Sequence, residues 1–211
     1  KKSFSEIEKI NNDIKCQFIK PLSDQDNFEV PIWLLSVDDW AILLNASEKT
    51  QIPVLRKTME VVKIFYSEND SSEEAKNHIL ASTITGILNS SESSPSKSDK
   101  VSSLLTNFPT KSIKLETKIN SKKNLRDSLN VNYGKIDDIE NIISFLQKYI
   151  NFSLMEEIKY NQLVHFSPND FLTAMKFAIL YEGSLNSQRV QEYTAPLVSR
   201  MQSLVESPFS K

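Results

Sequence analysis

Apolar residues recur at helical spacing along most of this chain, and polar residues punctuate the repeats where helices would begin or end. Near the start, Phe4, Ile7, Ile10 and Ile14 form one stripe, with Ser3 and Glu6 placed as a capping box. Residues 15–20 follow as a candidate strand closed by Pro21. Residues 28–35 read as extended and apolar, because Pro31 disfavours helix at Val30. Ser36 and Asp39 then cap a helix whose inner face is Trp40, Leu43 and Leu44. A second helix has Pro53 in its first turn and a stripe of Leu55, Met59 and Val62 with Phe65 or Tyr66. A third starts at Ser71 or Ser72 and carries Ala75, Ile79, Thr83 and Ile87.

Residues 89–100 are polar and serine-rich, which predicts a loop ahead of a short helix with Val101, Leu104 and Leu105. Ile113, Leu115, Thr117 and Ile119 alternate with Lys114, Glu116 and Lys118, the clearest strand signal in the chain. Farther on, Asp137 and Glu140 box a helix bearing Ile139, Ile142, Ile143, Leu146 and Ile150. Ser167, Pro168 and Asp170 start another, with Phe171, Leu172, Met175, Phe177, Ala178, Ile179 and Leu180 spread over most of its circumference. That predicts a central buried helix, stopped by Gly183. The last helix shows Val190, Tyr193, Leu197, Val198, Met201, Leu204 and Val205, and Pro196 predicts a kink or a split in it. The sum is a mainly α fold, a multi-helix bundle in one domain over 1–211, with a small β element from 15–20 and 113–119.

Composition narrows the function. The chain is 39% hydrophobic and 25% charged, within the ordinary globular range. A net charge of −2 argues against coating nucleic acid by overall charge. One cysteine, Cys16, excludes an internal disulfide, points towards a reducing cytosol, and reads as a small packing residue. No apolar run approaches the ~20 residues that span a bilayer. The start has no apolar leader and no initiator Met, so the chain is expected to be a piece of something longer.

The three glycines, Gly86, Gly134 and Gly183, lie far apart, so no glycine-rich loop can converge backbone amides on a phosphate. His78 and His165 lack ligand spacing, which predicts no metal site. Adjacent acids occur at 38–39, 73–74, 137–138 and 156–157; three of these pairs fall at helix starts, and capping explains them better than acid–base catalysis. No catalytic residues are expected, and the chain alone is not expected to be an enzyme. One lopsided cluster remains: Lys111, Lys114, Lys118, Lys122, Lys123 and Arg126, interrupted only by Glu116. It reads either as a phosphate or DNA contact or as lysines guarding a strand edge.

Two segments together resemble the HerA-type ATPases, the DNA-translocating branch related to FtsK. Val30-Pro31-Ile32-Trp33-Leu34-Leu35-Ser36-Val37-Asp38-Asp39-Trp40 is similar to the stretch that opens that family's helical portion, with Ile32 where Tyr is usual. Residues 177–183, 190–193 and 198–204 are similar to the helical pair that closes it, with Pro208-Phe209 where the chain returns to a core strand. The resemblance implies a cytoplasmic parent that forms a hexameric ring, binds ATP and magnesium outside this chain, and moves or unwinds DNA. Its implied partners are the ATPase core, neighbouring subunits, DNA and a nuclease or other effector. It also implies a trans-acting role for an arginine, with Arg200 (in Ser199-Arg200-Met201) ahead of Arg189. Without the resemblance, the same residues fit a free-standing helical adaptor for a partner protein.

Overall fold

The computed structural model describes residues 31–66, 72–136, 138–153, 164–186 and 189–207. The helix expected at 4–14 and the strand expected at 15–20 lie outside the described residues, as do Asp137 and the acids at 156–157. Pro31 leads into a single 3-10 turn, Ile32–Leu34, rather than an extended run. Ser36 then caps α1 (Val37–Leu43): Asp39 N–H donates to Ser36 Oγ at 3.2 Å, and Ser36 N–H donates back to Asp39 Oδ2 at 2.9 Å. Next come α2 (Gln51–Phe65), α3 (Ser72–Asn89) and α4 (Ser94–Asn107). A single-turn helix α5 (Leu125–Ser128) precedes a hairpin of β1 (Val131–Asn132) and β2 (Lys135–Ile136). The chain continues with α6 (Ile139–Gln147), α7 (Pro168–Asn186) and α8 (Val190–Glu206). Among the described residues the fold is mainly helical with one small two-stranded antiparallel sheet.

The bundle is organised around α7, as its all-round apolar surface predicts. It packs against α2 most extensively, and also against α8, α3 and α4. Phe171, Ala174, Met175 and Ala178 are fully buried on it. Its start is the second reciprocal cap, with Asp170 N–H on Ser167 Oγ at 3.1 Å and Ser167 N–H on Asp170 Oδ2 at 2.9 Å. Trp40 of α1 stacks on Phe171 at 4.0 Å between ring centroids. Phe65, Phe108 and Phe177 form an aromatic triad with centroids 4.9 to 5.7 Å apart. One contiguous cluster of buried residues runs through all the long helices.

The structure corrects several expectations. Residues 94–100 belong to α4, not to a loop: Ser93 caps it and Pro95 sits in its first turn. The polar side chains there are used, since Lys97 Nζ donates to the Leu88 carbonyl at the end of α3 (2.8 Å) and Lys100 Nζ pairs with Glu92 at 2.6 Å. Residues 113–119 are not a strand. Their side chains do alternate, with Ile113 buried and the lysines exposed. Yet among the described residues no second strand pairs with them: the Leu115 and Thr117 carbonyls accept from the Arg126 and Leu125 amides at 3.0 and 2.9 Å, and one isolated bridge joins Lys118 to Asn124.

The strands form instead at 131–136, where Tyr133 and Gly134 have φ of +49° and +77°, the pair of positive values that a two-residue type I′ hairpin turn requires. Gly183 does not stop α7, which continues to Asn186. Pro196 does not split α8, which runs unbroken to Glu206. Leu43 and Tyr193, expected on inner faces, are half exposed.

Candidate functional site

The basic cluster spreads over a looped segment held by its own backbone. Thr117 Oγ1 donates to the Ser112 carbonyl at 3.1 Å, and Asn120 Oδ1 accepts from the Lys122 and Lys123 amides at 2.9 and 2.8 Å. Lys123 and Arg126 are paired with carboxylates among the described residues. Lys123 Nζ lies 2.6 Å from Asp138 Oδ2, and this bond is the main reason that Asp138 is held below its usual range. Arg126 Nη2 lies 2.9 Å from Glu116 Oε1, which is lowered chiefly by a backbone bond and then by this guanidinium. The Lys111 amide donates to Glu73 Oε1 at 2.6 Å, tying the segment to the first turn of α3. Lys114, Lys118 and Lys122 are exposed. The structure therefore keeps the six together on one segment but divides them, with Lys114, Lys118 and Lys122 the three offered to solvent outside an ion pair.

Arg200 and Arg189, both on or beside α8, have different settings. Arg200 Nη1 donates to two carbonyls beyond the last turn of α1, Leu44 O at 2.7 Å and Asn45 O at 2.8 Å. Helix ends leave such carbonyls without partners, and a cation there also complements the helix dipole. Asn45 has a φ of +45°, the left-handed stop that exposes those oxygens. Arg189 is exposed at the N-cap position of α8 and its side chain makes no capping bond. No protein-family model matches this chain, and no curated protein does.

Arg200, within residues 198–204, closes on the end of the helix that Ser36 caps. Beside this contact, Gln51 Nε2 donates to the Tyr193 carbonyl at 2.7 Å. Sequence reasoning missed Gln51, because a glutamine at a helix start carries no signal that it will reach a residue 142 positions away. It also missed a polar network inside the bundle. Lys57 pairs with Glu60 at 2.7 Å while its ammonium sits 4.2 Å from the centre of the Tyr181 ring. His78 is buried on α3. His165 is an exposed loop residue against Trp33, 4.3 Å between ring centres.

Among the described residues no group of three or more His, Cys, Asp or Glu is placed to hold a metal ion, and no helix is long and apolar enough to cross a membrane. A narrow cleft between α3, α4, α7 and α8 has room for roughly one water molecule, far short of the ~300 Å³ of a small-molecule pocket. Glu92 lines it. Burial opposes its ionisation, but bonds from Lys100 and Ser96 outweigh burial and hold it below its usual value.

Proposed function

We propose that this chain is the helical accessory domain of a HerA-like, cytoplasmic ring ATPase and serves subunit packing and coupling. ATP and magnesium are bound by the parent protein outside this chain. The observation that supports the reading is the Arg200 contact with Leu44 and Asn45, which ties the second family-like segment to the end of the helix that the first one opens. A helical module set into an ATPase core must leave and rejoin that core at neighbouring points, and closure of segments 156 residues apart suits that requirement. The coding sequence on either side decides the matter. A glycine-rich phosphate loop upstream and an acidic strand to match it are expected; a reading frame with neither overturns the proposal.

On this reading, Lys114, Lys118 and Lys122 supply non-specific contacts to DNA phosphates. Fluorescence anisotropy on an arbitrary duplex should find weak binding, in the ~10⁻⁴–10⁻⁶ M range or weaker, that falls as salt rises. Changing the three lysines to Glu should abolish it. No binding at low salt, or binding unchanged by the reversal, removes this segment as a DNA contact and leaves subunit packing alone.

The adaptor reading is favoured by a different observation. Ile42 is 80% exposed, and Leu43 and Tyr193 about half exposed, all in the helices that Arg200 joins. Exposed apolar groups in such a place suit a docked protein partner. An ATPase core and an independent partner both meet this description, and the flanking coding sequence separates them.

A further inference from the structure

His78 sits on α3 with only 5% of its surface exposed. Its Nδ1 accepts a hydrogen bond from the backbone N–H of Asn151 at 2.9 Å, across 73 residues of sequence. An imidazole nitrogen that accepts carries no proton, so the ring is neutral with its hydrogen on Nε2. The loop segment it holds is a small unit. Asn151 Oδ1 accepts from the Ser153 amide at 3.2 Å, and the Phe152 ring stands edge-on to the imidazole, 5.5 Å between centres. This histidine therefore pins the loop that follows α6 through one bond, and that bond exists in one protonation state only.

We propose that His78 is a proton-operated latch: protonation at Nδ1 turns the acceptor into a donor facing the Asn151 N–H, and the loop at 150–153 lets go. The proton comes from solvent and stays on the ring, and no other bond is made or broken. Three influences act on the ring. Burial is the largest and favours the neutral form, Glu60 of α2 favours the charged form, and Lys57 of α2 opposes it. The net direction is downward from 6.5, so the latch is closed at neutral pH and opens on acidification. From the α6 side the ring meets the Asn151 amide and the Phe152 ring, neither of which titrates. Release frees a segment that already presents Phe152 to solvent, giving the surface an acid-dependent change of shape.

Amide hydrogen exchange read by NMR on the whole chain, from about pH 7.5 to pH 5, tests the latch. The protection factor of the Asn151 amide should drop about tenfold as His78 protonates, the scale of one lost hydrogen bond. His78→Asn places an amide oxygen near the position of Nδ1 and cannot take up the proton, so the step should vanish there. A flat protection factor in the unaltered chain, or a step that persists in the variant, overturns the proposal. Should the variant fail to fold, the ¹⁵N shifts of the imidazole decide. Nδ1 must change from acceptor to protonated over the same interval in which the Asn151 amide loses protection, and any mismatch of the two curves overturns the latch.

Discussion

Two of the glycines lie inside long helices and have opposite surroundings. A Cβ placed on Gly86 would meet Ser184 Oγ at 2.7 Å and Ser184 Cβ at 3.0 Å, so α3 and α7 touch there only because glycine lacks a side chain. A Cβ on Gly183 would meet nothing within 4 Å. Helix propensity favours alanine at both, by about 0.5–1 kcal/mol. Gly183→Ala should therefore raise stability by that amount, whereas Gly86→Ala should lower it, as overpacking of about 1–3 kcal/mol exceeds the gain. Urea melts of both variants check the signs, and Ser184→Gly should rescue Gly86→Ala. Spacing and residue type did identify most buried positions, Ala75, Ile79, Thr83 and Ile87 among them. They could not tell that Gly183 lies inside the last turn of α7, because a glycine that ends a helix and one tolerated within it are the same letter.

The elements themselves follow from caps and stripes wherever the contest is local. Ser36 with Asp39 and Ser167 with Asp170 close reciprocal bonds as their spacing predicts, because both partners lie within one turn. The failures came where a distant partner decides. Residues 113–119 alternate like a strand but bond to the start of α5, and α4 is held by its own Lys97, which reaches the Leu88 carbonyl of α3, and by the buried Val101, Leu104 and Leu105. Met175 lies at the centre of α7 and is fully buried, so Met175→Ala should cost about 2–5 kcal/mol. A loss below ~0.5 kcal/mol in a denaturant melt would contradict that central placement. Arg200 makes the corresponding test between elements. Arg200→Met removes the cation whose Nη1 donates to both carbonyls, and should destabilise the chain by about 1 kcal/mol. An arginine that acted only on a neighbouring subunit would leave the melt unchanged.

At the level of the molecule, the acid side of the stability curve has a part that belongs to His78. Its pKa is lower folded than unfolded, so the unfolded chain binds the extra proton first. The stabilisation is complete above the unfolded value of 6.5 and is lost as the pH falls from there through the folded value. The carboxylates lowered by their partners, Asp39, Glu92, Glu116 and Asp138, act at lower pH, as it falls through and below their ordinary range near 4. Melts against pH should show two descending steps, and His78→Asn should remove only the upper one. The basic cluster was legible in the sequence as a run of like charge. Its division into paired and exposed members was not, because Asp138 reaches Lys123 only through the fold.

The most extensive interface, α2 on α7, has an effect on the order of events during synthesis. A ribosome adding ~5–20 residues per second delivers α7 several seconds or more after α2. In that interval Trp40, Leu55 and Val62 have no partner from α7 or α8 to cover them. Helper proteins that hold apolar segments should engage this half of the nascent chain, and a chain halted before Pro168 should aggregate rather than persist as a folded fragment.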